Sequence, residues 1–122
     1  MSNHKQQLGK EGEKLAVKHL KEKGYQILAT NYRSGRSEID IIAKHAGEYI
    51  FVEVKTRETD KYGKPEEAVS IKKVNMIAKG AEDFLIENDF DGNCRYDIIS
   101  IILNKKATDI VHFEDAFWPG LY

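Results

Sequence analysis

Hydrophobic and polar positions alternate with a period of two along residues 49–57, which predicts a β-strand. One face of this strand would carry Ile50, Val52, Val54 and Thr56, and the other Tyr49, Phe51, Glu53, Lys55 and Arg57. We expect the first face to pack in a core. An alternating run precedes it, with Ile39, Ile41 and Ala43 on one face and Glu38, Asp40 and Ile42 on the other. Gly47 lies in the turn sequence between the runs, so residues 38–57 predict a β-hairpin.

The register of this hairpin decides which charged side chains meet. If Ala46 and Gly47 form the loop, Asp40 lies opposite Glu53. Like charges whose Cβ atoms are about 4.5–5.5 Å apart destabilise a sheet. The two carboxylates would therefore need a raised pKa, a basic neighbour such as Lys55, or a bound cation. A slip of two residues would instead pair Asp40 with Lys55 as an ordinary ion pair, and the sequence leaves both registers open.

Two stretches repeat apolar side chains every three or four residues, as amphipathic helices do. The first runs from about His4 to Lys23 and ends at Gly24, and the second runs from about Ser70 to Asn88. Their inward positions would be Leu8, Leu15, Ala16, His19 and Leu20 in the first, and Val74, Ile77, Ala78, Ala81 and Leu85 in the second.

Glu13 borders the inward stripe of the first predicted helix. The simpler interpretation is an ion pair with a nearby lysine such as Lys10, worth less than about 1 kcal/mol if exposed. The alternative is that the helix delivers a third carboxylate to the hairpin.

Further strands are predicted at residues 25–32, 95–103 and 107–113, with the polar tract 33–37 as a flexible turn. The order is helix, three strands, helix, two strands. It predicts a central mixed five-stranded sheet flanked by helices, in the α/β class close to α+β. The length fits a single domain over residues 1–122. Residues 58–67 form a long connector, which we interpret as a flap whose Tyr62 and Lys64 would stack on and pair with a nucleic acid. A surface loop with no such task is the open alternative.

Composition indicates the cellular location of the protein more clearly than it indicates the function. The single cysteine, Cys94, excludes an internal disulfide framework and indicates a reducing, cytoplasmic location, and no membrane-spanning run is present. A net charge of −1 argues against a generic nucleic-acid binder. However, residues 1–79 hold 16 Lys and Arg against 11 Asp and Glu, and residues 80–122 hold 3 against 9. This asymmetry suits either a positive face for a polyanion or attraction between the two parts.

The hairpin residues match the needs of metal-assisted phosphodiester hydrolysis. Asp40, Glu53 and the carbonyl of Val54 are hard oxygen ligands for Mg²⁺ or Mn²⁺. The ammonium of Lys55 would orient the nucleophile or stabilise the transition state. The spacing of these residues is by itself a weak motif.

Further segments of the chain strengthen this motif. The segments GKEGEKLAVKHL, GYQILATNYR, SEIDIIA, FVEVKTR, YGKPEEAV, CRYDIIS and DAF resemble, in order and spacing, the YraN-like family of small bacterial proteins, from Gly9 to Phe117. That family resembles the restriction-endonuclease-like fold of the PD-D/ExK nuclease superfamily and is similar to archaeal Holliday junction resolvases.

The resemblance implies a metal-dependent DNA endonuclease that acts on branched DNA, as a homodimer. It implies that Glu13, Asp40, Glu53 and Lys55 match the acidic and lysine signature of the superfamily, with Lys73 at a position that often lines the site. The expected nucleic-acid contacts are Arg33, Arg36, Arg57, Lys64 and Lys73.

Two residues depart from the family pattern. Ile39 replaces the proline of the superfamily motif, and Ser37 stands where the family usually has glycine.

Two alternatives stay open: a non-catalytic nucleic-acid-binding module that retains the fold, and an interaction protein in which Asp40, Glu53 and Lys55 form only a structural ion-pair cluster.

Overall fold

The computed structural model describes residues 3–59 and 70–119 and builds from them one five-stranded sheet with a helix on each face. The elements are α1 (His4–Glu22), β1 (Gln26–Ser34), β2 (Ser37–His45), β3 (Glu48–Arg57), α2 (Ile71–Glu87), β4 (Cys94–Leu103) and β5 (Thr108–Phe113). The strands lie in chain order, and every neighbouring pair is antiparallel except β3 and β4, which are parallel. The predicted element order and the mixed sheet are confirmed.

Both faces of the sheet are covered, which explains why its central strands are apolar on both sides. α1 packs Ala16 and Leu20 against Ile41, Val52 and Ile99. On the opposite face, α2 covers a second cluster that contains Ile42, Phe51, Val74, Ile77 and Ile98. The expected face of β3, with Ile50 and Val52, does pack in a core, and the opposite face is covered as well. Glu53, which lies on the same face of β3 as Phe51, is consequently on the side of α2 and is only 4% exposed.

The hairpin between β2 and β3 has the predicted register. Ala46 and Gly47 form the turn with φ values of 51° and 80°, which suits a two-residue hairpin loop. The ladder runs from the pair His45 and Glu48 to the pair Ile41 and Val52. This register excludes the two-residue slip and brings Asp40 to the end of the ladder, beside Glu53.

The predicted turn lies within residues 33–37 but is shorter than expected. Ser34 pairs with Ser37 across a tight turn at Gly35 and Arg36, so both strands extend into the polar tract. Ser37 is buried, and its hydroxyl donates a hydrogen bond to the carbonyl of Met76 at 2.7 Å. A Cβ on Gly80 would come within 2.9 Å of the Ser37 Cβ. Ser37 is thus accommodated by a glycine and a carbonyl of α2.

The predicted common face of Ile39, Ile41 and Ala43 was also wrong. Ile39 packs on the α2 side of the sheet, whereas Ile41 and Ala43 pack on the α1 side. The alternation breaks at Asp40, next to Asn31 of β1, whose φ of 51° is uncommon in a strand. An irregular strand at this point frees the Asp40 side chain from the regular ladder.

α1 approaches β3 closely because Gly12 has no side chain. A Cβ on Gly12 would lie 1.8 Å from Thr56 Oγ1 and 2.7 Å from Thr56 Cβ. Gly12, Ala16 and Leu20 are the buried residues of α1, while Leu8 and Leu15 are partly exposed. The close approach brings Glu13 next to the end of β3.

Most of the predicted flap, residues 60–67 with Lys64, lies outside the described residues.

Within the part of the chain that is described, no helix combines the length and the apolar character needed to cross a bilayer.

We predict that Gly12→Ala destabilises the protein by about 1–3 kcal/mol, because the new methyl group forces α1 away from Thr56. Gly9→Ala is the matched control on the same helix, because a Cβ there meets no described atom within 4 Å. It should be neutral or stabilising by up to about 1 kcal/mol. Urea denaturation measures both changes. Equal effects of the two substitutions would contradict the close contact.

Candidate functional site

The site begins where β2 and β3 separate. Their ladder ends at Ile41 and Val52, and the Val54 N–H then donates a hydrogen bond to Asp40 Oδ2 at 2.8 Å. In a strand, the N–H and C=O of one residue point to the same neighbour. The carbonyl of Val54 therefore also faces the opening beside Asp40. A backbone oxygen and a carboxylate are thus directed to the same place.

Burial and a second carboxylate act together on Asp40. Burial is the largest cause that raises the pKa of Asp40, and the charge of Glu53 adds to it, with a smaller contribution from Glu13. The hydrogen bond from Val54 and the charge of Lys73 oppose the shift, and the resulting pKa is about 7. The pair of carboxylates predicted from the hairpin register is therefore present, and its electrostatic repulsion is substantial.

Glu53 is the most buried acidic residue of the site, and its two oxygens have different surroundings. Oε1 lies 3.4 Å from Lys55 Nζ and 3.4 Å from Lys73 Nζ. Oε2 is buried and has no hydrogen-bond partner among the described residues. A buried carboxylate oxygen without a partner is costly, so this atom calls for a ligand.

Asp97 shows how the same protein satisfies a buried carboxylate that serves the structure. It accepts hydrogen bonds from Arg95 Nε at 2.9 Å, Arg95 Nη2 at 2.8 Å, His112 Nε2 at 2.7 Å and the Asp115 N–H at 2.9 Å. Burial raises the pKa of Asp97, but the hydrogen bonds from His112 and Arg95 outweigh burial, so its pKa lies below the usual value. Glu53 Oε2 accepts no hydrogen bond of this kind from any residue that the structure describes.

The donor set beside Asp40 fits a hard divalent cation. Asp40, Glu53 Oε2 and the Val54 carbonyl supply oxygen atoms, which are the ligands that Mg²⁺ and Mn²⁺ prefer. Within residues 3–59 and 70–119, no group of three or more His, Cys, Asp or Glu side chains is arranged to hold a metal ion. The protein would thus supply two carboxylates and one carbonyl. Mg²⁺ commonly takes its remaining ligands from water and phosphate.

Glu13 lies at the edge of this site. Its Oε2 accepts a hydrogen bond from Asn31 Nδ2 at 3.1 Å, and its charge contributes to the raised pKa of Asp40. The alternative ion pair with Lys10 does not form. The helix therefore delivers Glu13 toward the hairpin, although not into a cluster of three metal ligands.

A groove of about 910 Å³ leads to the carboxylates from the surface. One wall is the N-terminal part of α1, and the other is the C-terminal part of β3. His4 and Lys5 were not predicted to line a site, whereas Glu58 belongs to the predicted flap; His4 contacts Glu58 at the groove. Only the glycines in α1 signalled a close approach on this side. The groove is lined by His4, Lys5, Leu8, Gly9, Glu13, Asp40, Glu53, Val54, Lys55, Thr56, Arg57, Glu58 and Thr59.

The structure brings together only some of the predicted nucleic-acid contacts. Lys73 reaches Glu53, and Arg57 lines the groove. Arg33 pairs with Glu38 at 3.2 Å, and Arg36 lies in the turn between β1 and β2. Neither arginine lines the groove.

Comparisons with known proteins give a family and no activity. The profile of a family described as "Uncharacterised protein family UPF0102" matches residues 12–101. UPF0102 proteins of Christiangramia forsetii and Bacteroides thetaiotaomicron are 44% and 38% identical to this chain. The first match covers 97% of this chain and 98% of the relative, and the second covers 100% of both.

One solved structure is also similar. It is Pyrococcus furiosus SfsA in complex with Ca²⁺, with 17% sequence identity and a TM-score of 0.35. The match covers 90% of this chain and 63% of that chain. The likeness is too weak to support an inference about this chain.

We predict that metal-free native protein loses stability, relative to Asp40→Asn, as the pH rises from 4 to 8. The pKa of Asp40 is about 7 in the folded chain and near 3.8 when unperturbed, so the folded chain binds the extra proton across this window. The relative loss should reach about 2–4 kcal/mol above pH 7. Thermal denaturation in EDTA measures it. Asp109→Asn, at an exposed position, is the control. Parallel pH curves for native protein and Asp40→Asn would contradict the assignment.

Proposed function

The chain belongs to the uncharacterised protein family UPF0102, and we propose that it is a divalent-metal-dependent DNA endonuclease. It would hydrolyse phosphodiester bonds, with branched or otherwise structured DNA as its substrate. The observation that carries the proposal is the buried Oε2 of Glu53 next to Asp40, for which residues 3–59 and 70–119 supply no hydrogen-bond partner.

A purely structural ion-pair cluster explains this arrangement less well. Lys55 and Lys73 both approach Oε1 of Glu53, so two ammonium groups serve one oxygen while the other has no partner among the described residues. The fully hydrogen-bonded Asp97 shows the contrasting structural solution. A cation held between Glu53 and Asp40 would complete the partners of Oε2 and offset the repulsion between the two carboxylates.

Each residue of the site would have a distinct task. Asp40, Glu53 and the Val54 carbonyl would hold Mg²⁺ or Mn²⁺, which supplies neutralisation of charge on the phosphate and a lower pKa for attacking water. Lys55, 28% exposed in the groove, would orient the attacking water and stabilise charge that develops on the phosphate. Lys73 would fix the orientation of Glu53 through Oε1. Glu13 would assist from the edge of the groove through a bound water.

The substrate class rests on two considerations. Lys5 and Arg57 line the groove, which gives a phosphate backbone positive contacts at its mouth. Branched DNA follows from the similarity to junction resolvases. Cutting paired strands of a junction needs two sites, so we propose that a homodimer is the active form.

The test is cleavage of labelled single-stranded, duplex, flap and four-way-junction DNA, with an RNA strand as a further substrate, in Mg²⁺, Mn²⁺ or EDTA. We predict metal-dependent cutting that is strongest on branched DNA. Asp40→Asn and Lys55→Ala should each lower the rate at least about a hundredfold, because each removes a group that acts at the reacting phosphate. Asp109→Asn should cut like the native protein.

Two results would contradict the proposal. Binding of DNA without cutting, alike in native protein and Asp40→Asn, would establish the non-catalytic binding module. Cutting that persists in EDTA and in Asp40→Asn would show that the carboxylates do not hold a catalytic cation.

A further inference from the structure

A second, shallower cavity of about 360 Å³ lies between α1 and β1, beside the groove. Glu13 lines both concavities, so the two adjoin along α1. We propose that this cavity, which we call the α1 shelf, binds backbone phosphates of the same nucleic-acid strand on one side of the cleaved bond. This inference rests on the proposed function and extends it to the path of the substrate. The shelf is lined by Lys10, Glu13, Lys14, Val17, Thr30 and Asn31.

The charges of the shelf favour an anion. Lys10 and Lys14 are four residues apart on α1, so their ammonium groups lie on the same side of the helix. Within residues 3–59 and 70–119, neither lysine forms an ion pair or a hydrogen bond. On the same helix, Lys18 does pair with Glu22. Two like charges at this spacing repel each other, and a phosphate between them would relieve that repulsion.

Glu13, the acidic residue of the shelf, interacts with Asn31 and with Asp40. Asn31 donates its side-chain amide to Glu13 Oε2 at 3.1 Å, and the charge of Glu13 acts on Asp40 in the groove. Asn31 holds a φ of 51°, which costs energy for a residue other than glycine and points to a constrained role. The tether keeps the carboxylate at the boundary of the two concavities, so the lysines dominate the outer part of the shelf.

The dimensions suit a strand that crosses the carboxylates. Lys5 lines the groove at one end and Lys14 lines the shelf at the other. Nine residue steps separate Lys5 from Lys14, which is about 13.5 Å along the helix axis at about 1.5 Å per residue. That length corresponds to roughly four nucleotides at about 3.4 Å per step. Nine steps are two and a half helical turns, so the two lysines lie on opposite sides of α1, and a strand that meets Lys5 and the α1 shelf on the two sides of the cleaved bond must pass Glu13, where the groove and the shelf adjoin.

The test compares two double variants that remove equal charge from the same helix. Lys10→Gln with Lys14→Gln alters the shelf, and Lys18→Gln with Lys21→Gln alters exposed lysines that line neither concavity. DNA affinity is measured by fluorescence anisotropy in EDTA over a salt series. We expect the shelf variant to bind about tenfold more weakly and its plot of log K against log salt to be shallower by about 1–2. The control variant should change affinity less than twofold, and both should melt like the native protein.

Shortening the DNA locates the contact. Removing nucleotides from one side of the cleaved bond should weaken binding to the native protein and to the control variant. The shelf variant should bind the shortened DNA as well as it binds the full-length DNA, because the contact is already lost. Equal binding by the two variants, or an equal effect of shortening on both, would overturn the inference. The proposed function would still stand in that case if the native protein cuts DNA. If native protein binds none of these DNAs, the proposed function and the inference both fail.

Discussion

The contact between two carboxylates on neighbouring strands is the constraint on which the rest of the site depends. Asp40 and Glu53 repel each other, and burial disfavours the charge of Asp40 as well. The pKa of Asp40 is raised, and the ammonium groups of Lys55 and Lys73 approach Glu53. One oxygen of Glu53 still has no partner among the described residues. Repulsion and the unpartnered oxygen have one common remedy, which is a cation.

Close approach of the helices to the sheet makes this arrangement possible. On one face Gly12 lets α1 approach Thr56, and this places Glu13 at the groove. On the other face Gly80 lets α2 approach Ser37, in the helix that carries Lys73 to Glu53. Groups from both helices therefore meet at the strands from opposite faces. The fold contributes position, and the side chains contribute the chemistry.

Patterns in the chain predicted the sheet, and one of the two hairpin registers that they left open predicted the central pair of carboxylates. Period-two alternation with a two-residue loop at Ala46 and Gly47 brings Asp40 beside Glu53, and only the folded chain excludes the slip by two residues. The break of alternation at Asp40 was not predictable, because it coincides with a left-handed backbone at Asn31 that no residue pattern announces. Contacts between distant elements, such as Lys73 with Glu53, needed the folded chain. Arg33 and Arg36 were assigned by residue type alone, and the structure leaves both outside the groove.

The central claim is that Glu53 and Asp40 together hold a divalent cation. Titration calorimetry with Mn²⁺ at pH 8, where Asp40 is largely ionised, tests it most directly. The account predicts saturable binding by the native protein, loss of that binding in Glu53→Gln, and its retention in Glu11→Gln, a matched change at an exposed acidic residue of α1. Absence of saturable binding by the native protein, or equal binding by Glu53→Gln, would contradict the account.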